Sequence, residues 1–113
     1  MMDMIYDIDD YLLETDKTAI YPGANSRSLN EGTYLALGLV GEAGEVAEKM
    51  KKLIRDNSLD NDLFKKELGD VFWYLVRLCQ WAGSNPSEIL TSNVIKLRDR
   101  QSRNKLHGSG DSR

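Results

Sequence analysis

Glu42, Glu45, Glu67 and Asp70 are the residues of this sequence best suited to chemistry. They fall into two pairs, Glu-x-x-Glu and Glu-x-x-Asp, each one helical turn wide. Advancing about 100° per residue places Glu42 inside an apolar arc of Leu35, Leu39, Val46, Met50 and Leu53, with Glu45 on its edge. The second pair repeats this pattern. Glu67 falls inside an arc of Leu63, Phe64, Leu68, Val71, Leu75 and Leu78, and Asp70 lies on its rim. Acids on a core-facing stripe are costly unless something positive binds between them. If the two stripes face each other, four carboxylates converge, and a divalent cation relieves their repulsion. Oxygen ligands without His or Cys suit Mg²⁺, with Mn²⁺ as the alternative, rather than zinc. Mg²⁺ held by carboxylates keeps waters and takes phosphate oxygens. The expected chemistry is therefore at phosphorus: a polarised phosphoryl group, an activated water, and a carboxylate, Glu42 or Glu45, to take the proton. The competing explanation is plain. Each pair alone is a common solvated helix motif, and Lys49, Lys51, Lys52, Lys65 and Lys66 are potential salt-bridge partners.

A triphosphate also needs positive donors beside the metal. Asn93, Lys96 and Arg100 recur at about one-turn spacing near the C-terminus, and Arg offers a planar fork for phosphate oxygens. The plain alternative is a solvated basic face at a helix end. Lys52 and Arg55 are weaker candidates for the same task. Trp73 and Tyr74 directly follow the second acid pair, where a ring could stack on a base. An aromatic at such a position is more commonly core or interface. Glu48, a further turn along, is expected at the surface.

Four helices must position these groups. Apolar spacing predicts helices from about Met4 to Ala19, Leu29 to Arg55, Asp60 to Ala82 and Pro86 to Lys105. Ser28 with Glu31 has the form of a capping box, and Pro86 suits a first helical turn. Tyr21-Pro22-Gly23-Ala24-Asn25, Asp56-Asn57-Ser58 and Gly83-Ser84-Asn85 break the helices. No strand is expected. The fold class is all-α, an antiparallel four-helix bundle in a single domain over residues 1–113, with 106–113 a flexible tail. The second and third helices are apolar on more than one face, which predicts a homodimer or homotetramer.

Composition bounds the remaining options. The chain has 113 residues, a formal net charge of −3 and 29% charged residues. Acids and bases interleave, against a nucleic-acid binder. No apolar run approaches a membrane span, and the acidic start MMDMIYDIDD lacks signal-peptide order. Cys79 is the single cysteine, so no internal disulfide or zinc cluster is expected. A reducing, cytoplasmic location fits.

The motifs resemble those of a known family. Gly38-Leu39-Val40-Gly41-Glu42-Ala43-Gly44-Glu45-Val46-Ala47-Glu48-Lys49 is similar to the metal-binding helix of the MazG-like nucleoside triphosphate pyrophosphohydrolases. Lys66-Glu67-Leu68-Gly69-Asp70-Val71-Phe72-Trp73-Tyr74-Leu75 resembles their second acidic motif, and residues 93–100 resemble their downstream Asn-Lys-Arg stretch. The ending Gly108-Ser109-Gly110-Asp111-Ser112-Arg113 resembles the tail of a bacterial and phage branch. The resemblance covers about residues 21–113. It implies an all-α, Mg²⁺-dependent enzyme that cleaves a nucleoside or deoxynucleoside triphosphate to the monophosphate and pyrophosphate. It also implies dimers or tetramers with sites near subunit contacts, and a nucleotide pocket touched by Tyr21, Pro22 and Asn25. One departure stands out. Many members carry two adjacent acids where this chain has Gly41-Glu42, which leaves the metal count and the catalytic base open. Two rivals compete with this expectation. One is a non-catalytic, oligomeric helical interaction module with a structural acidic cluster. The other is a ferritin-like di-metal protein, disfavoured because its Glu-x-x-His pairs are missing and His107 lies in the tail.

Overall fold

A computed structural model describes residues 4, 5 and 7–111. Residues 1–3 and 6 of the acidic N-terminal stretch, and the last two tail residues, Ser112 and Arg113, lie outside it. The described residues form four helices and no strand: α1 (Ile8–Thr18), α2 (Leu29–Asp56), α3 (Asn61–Trp81) and α4 (Pro86–Ser102).

Local chemistry sets each boundary. The Asp7 side chain accepts the Asp9 N–H at 2.7 Å, so α1 starts four residues later than its apolar spacing alone suggests. The Ser28 hydroxyl accepts the Glu31 N–H at 3.2 Å and caps α2. Asn57, left-handed at φ 53°, ends α2 by donating its N–H to the Leu53 carbonyl. Asp60 caps α3 through the Leu63 N–H, and Asn85 caps α4 ahead of Pro86. The capping box is only half made. Glu31 does not turn back to Ser28. Its carboxylate accepts the Tyr21 hydroxyl, the Asn25 N–H and the Arg27 N–H instead.

The four-residue link 57–60 folds α3 back along α2, and these two helices make the most extensive contact. α1 and α4 pack on α3 and on each other, whereas the backbone of α2 approaches neither of them closely. The bundle is therefore open along α2. Its radius of gyration is 16.8 Å, against about 13 Å for a compact chain of this length.

The core lies where the first half of α2 meets the second half of α3. Leu35, Tyr21 and Ala19 are buried there, packed by Trp73, Tyr74, Leu78 and Trp81. Two glycines make the approach possible. A Cβ at Gly32 would overlap the Trp81 ring, and one at Gly38 would overlap the Tyr74 ring. Arg77 is buried beside this core. It donates to Thr15 Oγ1 at 3.3 Å, to Asp16 and to Asn25 Oδ1 at 2.6 Å, tying α1 and the α1–α2 loop to α3.

Candidate active site

The antiparallel α2–α3 pair brings Glu42 opposite Glu67 and Asp70. One carboxylate oxygen from each lies within 4.8 Å of the others. Glu42 and Glu67 are half-buried and Asp70 is exposed, as the helix wheel places them. Burial is the main reason that Glu42 holds its proton more tightly than an ordinary glutamate. The negative charges of Asp70, Glu67 and Glu45 push the same way, as does a hydrogen bond with Glu67. Glu45 is near enough to be felt by Glu42 but stands outside the trio, exposed on α2.

The lysine explanation for these acids is not realised among the described residues. None of the four is in an ion pair there. Lys51 pairs instead with Glu48, at 3.4 Å on the α2 surface. Three converging carboxylate oxygens without a protein cation are an unrelieved charge. An oxygen-only donor set of this kind fits a hard divalent cation.

Of the trio, Glu42 and Asp70 but not Glu67 line a cleft of about 530 Å³, within the usual range for small-molecule sites. Its other walls are Tyr21, Tyr34, Trp73 and Tyr74. Tyr21 and Tyr34 stack, with ring centroids 4.8 Å apart and planes 15° apart. Trp73 meets Tyr21 edge-on at 6.0 Å and Tyr74 at 5.0 Å. The Trp73 indole N–H donates to Thr18 Oγ1 at 2.8 Å, which fixes that ring's tilt. Tyr34 was not anticipated from sequence. Its signal is the four-residue spacing Tyr34, Gly38, Glu42, matched on α3 by Asp70 and Tyr74. Those spacings put a ring, or a gap for a ring, beside each acid.

The expected phosphate donors lie elsewhere in the subunit. Asn93 and Lys96 line a separate hollow on α4 with Ser92 and Glu88. Arg100 is buried, and with Lys96 it binds the tail: Asp111 Oδ1 accepts from each at 3.1 Å. The tail thus folds back on α4 as far as Asp111. Lys52 lies ten residues beyond Glu42, about 15 Å along α2. Within one subunit the structure brings none of these four into the cleft of Glu42 and Asp70.

Among the described residues, no helix is long and apolar enough to cross a membrane. The model of the MazG nucleotide pyrophosphohydrolase domain matches residues 30–104, from the start of α2 past the end of α4. The chain is also similar to the Gene 37 protein of Mycobacterium phage L5, at 41% identity over 112 residues, covering 94% of this chain and 98% of that one. No solved structure matches. The matched span contains both acid pairs and the helices that bring three of the acids together, and on this ground the chain belongs to the MazG nucleotide pyrophosphohydrolase family.

Proposed function

We propose that this chain hydrolyses a nucleoside or deoxynucleoside triphosphate to the monophosphate and pyrophosphate, with Mg²⁺ as its metal and Mn²⁺ as the alternative. The observation that carries this reading is the cluster of Glu42, Glu67 and Asp70, without a protein cation, of which Glu42 and Asp70 line an aromatic cleft. A divalent cation held by these acids would neutralise phosphate charge and polarise the phosphoryl group. The chain's own residues do the rest. The Trp73 or the Tyr74 ring offers a base a flat apolar face. Glu42 or Glu45 orients a water for attack at the α-phosphorus and takes its proton. The new bond is from water oxygen to phosphorus; the bond broken leads to the β-phosphate, and pyrophosphate leaves.

The same reading has the protein act as a homodimer or homotetramer on the cytoplasmic nucleotide pool. Leu37, Val40 and Ile54 on α2 are 68%, 69% and 85% exposed, apolar surface of the kind that marks an interface. In that assembly Lys52, and Lys96 and Arg100 once released from Asp111, supply the positive donors that the acid cleft lacks within one subunit, and Asn93 adds a neutral one.

The test is a panel of NTPs and dNTPs, with and without Mg²⁺, with pyrophosphate resolved from orthophosphate. Metal-dependent pyrophosphate from at least one nucleotide is expected. Its absence from every nucleotide would leave the acids a structural feature of a non-catalytic oligomer.

A further inference from the structure

Glu31 and Arg77 are both charged and both buried, at 3% and 1% exposure, and neither belongs to the acid cluster. Burying a charge is costly unless its hydrogen bonds are made. An exposed Glu31 closing the capping box would have avoided that cost. Instead all three of its acceptor bonds end on residues 21–27. They come from the Tyr21 hydroxyl at 2.6 Å, the Asn25 N–H at 2.6 Å and the Arg27 N–H at 2.9 Å. Arg77 holds the same segment from the other side, through Asn25 Oδ1 at 2.6 Å. Asn25 therefore links the two buried charges without their touching.

Besides these bonds the loop has its own turn hydrogen bonds and two ties to Trp81, from Arg27 Nε to the Trp81 carbonyl and from the Trp81 indole to the Ser28 carbonyl. Pro22, Gly23, Ser26 and Arg27 are exposed, and only Tyr21 and Ala24 pack inward. Asn25 and Arg27 sit at φ 63° and 56°; asparagine tolerates this left-handed region, but Arg27 is held there by its surroundings. Such enforced backbone gathers at binding sites. Here it ends at the ring of Tyr21, which forms one wall of the cleft and carries the stack with Tyr34.

We propose that Glu31 is a positioning residue for the nucleotide cleft: through the Tyr21 hydroxyl and the Asn25 and Arg27 amides it holds the Tyr21–Tyr34 wall in place, with Arg77 locking the same loop from α3. This rests on the reading of the cleft as a triphosphate site. Glu31 touches no reacting atom, so its loss weakens nucleotide binding and spares the chemical step.

The experiment compares Glu31→Gln, Tyr21→Phe, the double variant and Ser28→Ala, on the best substrate of the panel. Binding of an α,β-methylene nucleotide analogue is measured alongside by calorimetry. Glu31→Gln and Tyr21→Phe should each raise KM and the analogue's Kd about fivefold, the worth of one hydrogen bond. kcat in Glu31→Gln should stay within about twofold. The double variant should fall short of the sum of the single ones, because both changes weaken the same Tyr21–Glu31 contact. Ser28→Ala removes the α2 cap, so it should lower Tm while leaving KM unchanged. Glu31→Gln behaving as Ser28→Ala does, with Tm reduced and KM intact, would overturn the proposal. So would fully additive effects of Glu31→Gln and Tyr21→Phe on KM. Should Glu31→Gln fail to fold, Tyr21→Phe decides alone: the proposal stands if its KM rises and falls if it does not. A wild-type protein that neither binds the analogue nor cleaves any nucleotide would overturn the triphosphate reading itself, and this proposal with it. A wild type that binds, with variants that bind equally well, overturns this proposal only.

Discussion

The two halves of the α2–α3 pair use the same residue for opposite ends. In the first half of α2, Gly32 and Gly38 give up their side chains so that Trp81 and Tyr74 can lie against the backbone. Leu35 between them is fully buried. Further along, Gly41 and Gly44 on α2 and Gly69 on α3 face open space. Around them Val40, Ile54, Leu68 and Phe72 are exposed. One half is a finished core; the other leaves its glycines and apolar side chains uncovered within the described residues. Glu42, Glu67 and Asp70 stand at the border, where the packed half fixes the helix spacing and the open half leaves room for ligands. A metal site needs both, because rigid elements place the donors and an open side admits the substrate.

The border is tested first by Glu67→Gln. Removing one of the crowded charges should leave the metal-free protein as stable as before or more so, because repulsion falls. Stabilisation by Mg²⁺ should shrink. A cation at 100 times its Kd adds about 2.7 kcal/mol, and most of that is expected to disappear, read as a Tm difference with and without the metal. A variant destabilised equally in both conditions would place Glu67 in a structural contact instead.

Within the packed half, Gly38→Ala sets two effects against each other. Alanine favours the helix by about 1 kcal/mol. Its methyl, however, enters the space of the Tyr74 ring, and overpacking costs about 1–3 kcal/mol. The clash should win because Tyr74 is itself held between Tyr34 and Trp73. Tm should fall, and the cleft should lose nucleotide affinity as the ring is displaced. A rise in Tm would mean that the two halves are packed alike.

A smaller effect distinguishes the halves by pH. Burial pushes the Glu31 carboxyl upward, but the bonds from Tyr21, Asn25 and Arg27 and the charge of Arg77 outweigh it and hold its pKa below the ordinary 4.5. A depressed folded value means stability that is present above pH 4.5 and is lost as pH falls through the folded pKa. Glu31→Gln should therefore be less stable than the wild type by about 1.5 kcal/mol near neutrality. That gap should close progressively in acid below pH 4.5, as read from denaturant midpoints. A gap independent of pH would mean that the Glu31 charge is not what holds the loop.

What was legible in the sequence divides along the same border. Periodicity and capping located all four helices, because those signals are local. The wheel placed Glu42 and Glu67 in the stripe and Asp70 at its rim, since α2 and α3 are long and joined by a short link. Apolar residues on more than one face led to the expectation of an oligomer; in the described subunit Leu37, Val40 and Ile54 of α2 lie exposed. The packed half was harder to foresee. Glu31 had a local partner in Ser28, and nothing in the spacing showed that it would choose Tyr21, ten residues away. Arg77 bridges to residues more than fifty positions distant, beyond the reach of any short-range pattern. Lys96 and Arg100 share a helix face as expected, but which end of the molecule that face meets depends on the turn at Gly83 and on the tail.

The smallest expected effect lies at Gly41, where many family members carry an acid and this chain does not. A Cβ there meets nothing within 4 Å, so packing within the described subunit does not explain the glycine. Gly41→Ala should therefore raise stability by somewhat less than 1 kcal/mol, through helix propensity alone. Gly41→Glu shares that gain but adds a negative charge next to Glu42, whose carboxyl is already pushed up by burial and then by its acidic neighbours. Without metal the two contributions should nearly cancel, leaving Gly41→Glu less stable than Gly41→Ala. With Mg²⁺ the order should reverse if the added carboxylate joins the cluster, and calorimetry should then show tighter or additional metal binding. If Gly41→Glu stays below Gly41→Ala with metal present, the open half has no place for a further ligand at 41, and Glu42, Glu67 and Asp70 act without one.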